Sequence, residues 1–134
     1  MRESDGRRAD GETAKDVVQR FWRAMQSNDF VAASQLLAID YELEWPQSGE
    51  RVRGRDDFAG LNANYPAAGP WRFAVTRLVA DGEQVVSDVL VTDGATHARA
   101  ITFSIVRDGL IASQLEFWPD PFAAPAWRAR WVNR

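Results

Sequence analysis

Three Asp-Gly pairs, Asp81-Gly82, Asp93-Gly94 and Asp108-Gly109, constrain the second half of this chain more than any other feature. An Asp-Gly pair supplies the positive φ that a tight hairpin turn requires, and these three separate runs rich in Val, Ile, Phe and Thr. The pattern predicts four antiparallel strands, at about residues 71–80, 83–92, 96–107 and 110–118. Pro119, Pro121 and Pro125 forbid further pairing, because proline lacks the ladder donor. The last residues are therefore expected to cross the surface and to end in a helical turn with Trp127 and Trp131 on one side.

The first half has a different period. Residues 1–12 are polar and aperiodic and read as a disordered tail, leaving one domain at 13–134. Thr13 and Asp16 form a capping-box pattern ahead of Val17, Val18, Phe21, Ala24 and Met25 at helical spacing. Asp29 caps a second helix with Phe30, Ala33, Leu36 and Leu37 on one face, and RDDFAGLNANYP gives a third with Phe58, Leu61 and Tyr65, stopped by Pro66. Between them, YELEWP alternates: Tyr41, Leu43 and Trp45 share one face of a strand, and Glu42 and Glu44 share the other. The following QSGERVRG is a loop or short hairpin.

Composition removes several function classes. The chain has no cysteine and one histidine, His97, so disulfides, thiolate catalysis and His-rich or Cys-ligated metal sites are not expected. Its basic residues are spread among acids with a net charge of −3, which gives no nucleic-acid footprint. No apolar run follows the N-terminal arginines, so neither a secretion signal nor a membrane anchor is read, and a cytoplasmic location is the default. No cofactor is implied.

Three helices and a curved antiparallel sheet make an α+β architecture. With DVVQRFWRAMQSNDF on the first helices, LEWPQSGERVRGRDDF after the first strand and ITFSIVRDGLIASQLEFW at the end, the chain resembles the NTF2-like superfamily and its SnoaL-like domains over about residues 13–131. The resemblance implies a cystatin-like cone, with a cavity between helices and concave sheet for a small apolar or aromatic molecule, and commonly a homodimer formed sheet to sheet. Members include ketosteroid isomerases, polyketide cyclases, hydrolases and a transport factor that is no enzyme, so activity must be argued from the site.

Two enzyme patterns carried by that resemblance are broken here. Where the isomerases place a Tyr donor, an Asp base and a protonated Asp, this chain has Phe21, Trp45 and Phe103. Where the cyclases run Glu-His-Trp-Asp, it has Glu116-Phe117-Trp118-Pro119, with Asp120 one residue late. Phenyl and indole rings supply no base. The register implied by the isomerases lines the pocket with Phe21, Trp45, Phe103, Leu115 and Phe117, and adds Met25, Phe58 and Tyr65 from the helices. It assigns Ala100, Thr102, Ser104, Gln114, Glu116 and Trp118 to the convex face, as part of a dimer interface.

His97, Asp120 and Asp88 remain as catalytic candidates, Asp88 with an arginine such as Arg72, Arg77 or Arg99 for a partner. Asn62 and Asn64 read as capping residues that also lie within reach of a ligand. The leading expectation is a small-molecule-binding protein with an aromatic-lined pocket; the alternatives are an isomerase, hydrolase or cyclase-type enzyme, and a non-catalytic homodimeric interaction domain. They differ in what fills the cone. Binding requires an apolar cavity, catalysis adds a cavity-facing carboxylate or imidazole with a perturbed pKa, and an interaction domain has no cavity and a larger exposed apolar surface.

Overall fold

The computed structural model describes residues 12–134, so the tail expected over residues 1–12 lies outside the described residues except for Glu12. Glu12 pairs with Arg20 through both carboxylate oxygens, at 2.6 and 2.9 Å. The elements run α1 (Ala14–Gln26), α2 (Phe30–Ser34), β1 (Leu37–Trp45), β2 (Glu50–Arg53), α3 (Gly54–Asn64), β3 (Arg72–Asp81), β4 (Gln84–Thr92), β5 (His97–Arg107), β6 (Leu110–Phe117) and a terminal 3₁₀ helix at Ala126–Trp131. The strands form one six-stranded sheet in the order β2-β1-β6-β5-β4-β3. All neighbours are antiparallel except β1 and β6, which pair in parallel. No helix among the described residues is long and apolar enough to cross a membrane.

Local chemistry explains the boundaries. The capping box at Thr13 is complete, its hydroxyl accepting from the Asp16 amide while the Asp16 carboxylate accepts from the Thr13 amide. Asp29 caps α2 through the Ala32 amide. That helix is shorter than its apolar spacing predicts: it ends at Ser34, and Leu37, expected on its face, opens β1 as a fully buried strand residue. QSGERVRG resolves as the β1–β2 hairpin, in which Arg51 and Arg53 reach back to Glu42 and Glu44. Those glutamates are on the outer face, and Tyr41 and Leu43 are buried on the inner one.

Helix α1 lies across the concave side and buries Val17, Val18, Phe21, Trp22 and Met25 against it. Trp22 Nε1 donates to Ser87 Oγ of β4 at 3.2 Å, which fixes the helix over the sheet. The terminal Trp127 and Trp131 do not pack against the core; both are largely exposed.

The segment between α3 and β3 is irregular but tied down at two points. Asn28, in the left-handed region with φ 62°, forms a paired contact with Trp71, donating to its carbonyl at 2.7 Å and accepting from its amide at 2.8 Å. Asp93, in the β4–β5 turn, accepts from the amides of Ala68, Ala95 and Thr96 at 2.7–3.0 Å. These three donors, Ala68 first, lower the Asp93 pKa from its ordinary 3.8 to about 2. The folded state therefore holds the proton less tightly than the unfolded chain, giving stability that is present above about pH 4 and lost as pH falls through about 2. Asp93→Asn removes the acceptor for Ala68 and is expected to lower the melting temperature at pH 7. In thermal melts the gap to the wild type should narrow below pH 4; a gap that does not change with pH would mean the carboxylate charge is not what holds the turn.

Candidate functional site

Between α1, α3 and the concave sheet is a cavity of about 420 Å³. Its walls are strongly aromatic: Trp45 from β1, Phe58 and Tyr65 from α3 and its end, Trp71 and Phe73 at the start of β3, and Trp118 after β6. Tyr65 and Trp71 meet edge to face at 6.1 Å, so the segment held by Asn28 and Asp93 supplies one corner of the wall. The opposite corner is set by Gln47, whose amide accepts from the Trp118 backbone N–H at 2.6 Å and donates to its carbonyl at 3.1 Å. Gln47 thus substitutes for a strand neighbour just where β6 ends.

Polar groups enter this wall from β6. Tyr41 Oη donates to Gln114 Oε1 at 2.6 Å, and Gln114 Nε2 donates to Ser104 Oγ at 3.1 Å. One step along the strands, Trp45 Nε1 donates to Glu116 Oε1 at 3.0 Å and Thr102 Oγ1 donates to Glu116 Oε2 at 2.6 Å. The pairing explains the partners, since Thr102 opposes Glu116 and Ser104 opposes Gln114 across the β5–β6 ladder. Glu116 is 7% exposed and Gln114 is 4% exposed, and both line the cavity. Burial pushes the Glu116 carboxyl above its ordinary 4.5, while donation from Thr102, Trp45 and Trp118 partly offsets the rise. Burial, and after it the charge of Glu116, raise the Tyr41 hydroxyl well above 10, so it remains a donor at any ordinary pH.

The residues expected at the pocket divide into two groups. Met25, Trp45, Phe58 and Tyr65 line the cavity. Phe21 does not: it is buried in the core between Trp22 and Phe58. Phe103, Leu115 and Phe117 are on the other side of the sheet, where Phe103 is 44% exposed and stacks edge to face on Phe117 at 6.3 Å. The expected parity of β5 and β6 is therefore reversed, and Ala100, Thr102, Ser104, Gln114, Glu116 and Trp118 belong to the inner side. In β6 the cause is a bulge: Ile105 pairs with Ser113 but Val106 pairs with Ile111, leaving Ala112 as an extra residue. β5 alternates without interruption, and Ala100, Thr102, Ser104 and Val106 are on its buried side.

Among the catalytic candidates, Asp120 lines the cavity at an exposed position. His97 is exposed and borders a neighbouring groove with Gln26 and Arg72. Asp88 is on the outer face, where Arg99 Nε approaches its Oδ1 to 3.1 Å at ion-pair distance without hydrogen-bond alignment. Asn62 and Asn64 each donate to the carbonyl four residues back in α3, and Asn62 also borders the cavity. Among the described residues no group of three His, Asp or Glu is arranged to hold a metal. Glu116, expected on the convex face, lines the cavity instead. Its signal in the sequence was cross-strand: two polar residues on β6, Gln114 and Glu116, directly oppose two on β5, Ser104 and Thr102.

A SnoaL-like domain model matches residues 18–114. The chain belongs to the SnoaL-like domain family. A Kribbella flavida DSM 17836 structure, provisionally described as a ketosteroid isomerase, is similar at 32% identity with a TM-score of 0.83, covering 90% of this chain and 88% of that one. An NTF-2 like protein of unknown function from Burkholderia xenovorans LB400 is 28% identical with a TM-score of 0.74, over 90% of this chain and 94% of its own. A hypothetical protein with a ketosteroid isomerase-like fold from Catenulispora acidiphila DSM 44928, in complex with trimethylamine, shares the fold at 18% identity and a TM-score of 0.66, over 75% and 83% of the two chains. No curated protein matches this SnoaL-like chain.

Two substitutions probe the polar wall. Tyr41→Phe leaves the buried Gln114 oxygen without its donor and should cost about 1–3 kcal/mol in chemical denaturation. Glu116→Gln removes the ionisation. Because folding raises this pKa, the wild type has a stabilising contribution that is full below the ordinary value of 4.5 and is lost as pH rises through the folded value. Glu116→Gln should therefore gain in melting temperature relative to the wild type from pH 4 to pH 8. A difference that stays flat over that range would show that the folded carboxyl ionises like an exposed one.

Proposed function

We propose that this SnoaL-like chain binds a small, largely apolar molecule in its aromatic-walled cavity and orients it by a polar group against Glu116. The observation that carries the reading is a hydrogen-bonded carboxyl, buried and facing open space inside a wall of rings. A carboxyl kept only for stability would be expected to be packed against partners on all sides; this one borders the cavity, and donation from Thr102, Trp45 and Trp118 uses only part of a carboxylate's capacity. A cavity of this volume is within the usual range for small-molecule sites. The trimethylamine held by the Catenulispora protein supports the cone as a place for small ligands at the level of fold.

An enzymatic reading rests on the same residue. The usual isomerase and cyclase positions are Phe21, Trp45, Phe103, Phe117 and Pro119 here, yet Glu116 meets the requirement for a general acid or base, a cavity-facing carboxyl whose pKa burial has raised. In that role it would take a proton from a bound molecule and return it to another atom of the same molecule. Asp120, which lines the cavity, and His97, which borders the neighbouring groove, are the further candidates.

The convex side supports a homodimer. Val79, Val86, Phe103 and Leu115 form one row across four strands, and Ile101 and Phe117 extend the next. Val79 is 64% exposed and Phe103 is 44% exposed, a contiguous apolar surface of the kind that pairs with a copy of itself. Phe103→Asp should yield a monomer in sedimentation equilibrium where the wild type is a dimer, and a wild type that sediments as a monomer sinks this part of the reading. For the cavity, native mass spectrometry of protein purified from its own cells should find a retained small-molecule mass. Leu61→Trp, which places an indole in the cavity from α3, should remove it; retention by that variant would locate the ligand elsewhere.

A further inference from the structure

Resting on the reading that this cavity takes a small molecule, we propose that the ligand carries a positively charged nitrogen, as an amine or quaternary ammonium with an apolar body. The argument is the sorting of charge. The chain has 16 Lys and Arg against 19 Asp and Glu, so basic side chains are nearly as available as acidic ones. Yet the charged residues that line the cavity are Glu50, Glu116 and Asp120, and among the described residues its lining contains no Lys, Arg or His.

The other lining groups point the same way. Six aromatic residues, Trp45, Phe58, Tyr65, Trp71, Phe73 and Trp118, present rings whose faces carry partial negative charge. Such faces attract a cation within about 6 Å and repel an anion, and the attraction grows where water is excluded. A neutral apolar ligand would account for the rings and leave the carboxyls without a purpose. An anionic ligand would find neither a basic side chain nor a favourable ring face. Only a cation uses both.

Glu116 is built for the inner part of that task. Its two oxygens are fixed by Trp45 and Thr102, so the carboxyl is held in one orientation with lone pairs to spare. Burial without a counter-charge penalises its anion. A ligand cation supplies that counter-charge, and Glu116 then serves as its ion-pair partner at the cavity wall. Glu50 and Asp120, both exposed, border the cavity where a cation arriving from solvent would first meet negative potential.

Three molecules of one shape separate charge from apolar fit: choline, the neutral 3,3-dimethylbutan-1-ol and the anionic 3,3-dimethylbutanoate. Each would be titrated into the ¹⁵N-labelled full chain while the indole N–H resonances of Trp45, Trp71 and Trp118 are followed. The expected result is saturable movement of those resonances by choline, with a Kd about ten-fold or more below that of the alcohol, and none by the butanoate. Equal or tighter binding of the alcohol or the butanoate at the same resonances overturns the cation and leaves the pocket reading intact. If none of the three moves them, nor the larger benzyltrimethylammonium at millimolar concentration, both readings fail. Glu116→Gln should weaken choline more than the alcohol; the wild-type comparison decides the matter by itself should that variant not fold.

Discussion

One extra residue in β6 governs the chemistry of the whole inner wall. Ile111 points into the core, and strict alternation from it would carry Ser113, Leu115 and Phe117 to the same side. Ala112 breaks the count, and Gln114 and Glu116 turn inward instead. A strand slipped by one residue exchanges its faces, so the bulge converts what would be an oily floor into one with an amide and a carboxyl. The rest of the site is fitted to that choice: Tyr41 and Trp45 on β1, Thr102 and Ser104 on β5, each a hydrogen-bonding side chain aimed at the two residues the bulge delivers.

The placement of several β5 and β6 side chains is consequently inverted relative to the common one-sided pattern, although Val85, Val89, Val91, Val106 and Ile111 keep the inner face largely apolar. The sheet's inner face has Ser87, Thr102, Ser104, Gln114 and Glu116 among the buried residues, and its outer face has Val79, Val86, Ile101, Phe103, Leu115 and Phe117. Buried polar groups are tolerated inside because they satisfy one another.

That inversion marks the boundary between what the sequence discloses and what it hides. The Asp-Gly turns locate the hairpins to within a residue or so, the capping box at Thr13 starts α1 correctly, and the YELEWP alternation assigns both faces of β1. These are local signals with a direct mechanism. The orientation of β5 and β6 is not local. Hydrophobicity favours turning Ile101, Phe103, Leu115 and Phe117 inward, and nothing in the one-dimensional pattern announces a bulge at Ala112, because alanine suits either a regular or an unpaired strand position. Glu116 therefore turns inward with its neighbours against the hydrophobic pattern, whereas Met25, Trp45, Phe58 and Tyr65, which line the cavity, come from helices or from β1, upstream of the bulge. The helix α2 boundary failed for a related reason: Leu37 suits a helix face and a buried strand equally, and pairing with β6 decided between them.

The parallel seam between β1 and β6 has a kinetic consequence. The hairpins from β3 to β6 join consecutive strands through short turns, whereas β1 reaches β6 only after the chain between residues 46 and 109 has been closed into a loop. Closing a loop of that length is entropically costly and is not rewarded until the seam forms, so contacts of this kind set the pace of folding. Tyr41 to Gln114 and Trp45 to Glu116 are bonds across that seam. A chain paused at the hairpin stage would have most of its ladder but an open cavity wall, because the bonds from β1 to Gln114 and Glu116 exist only once the long-range seam has closed.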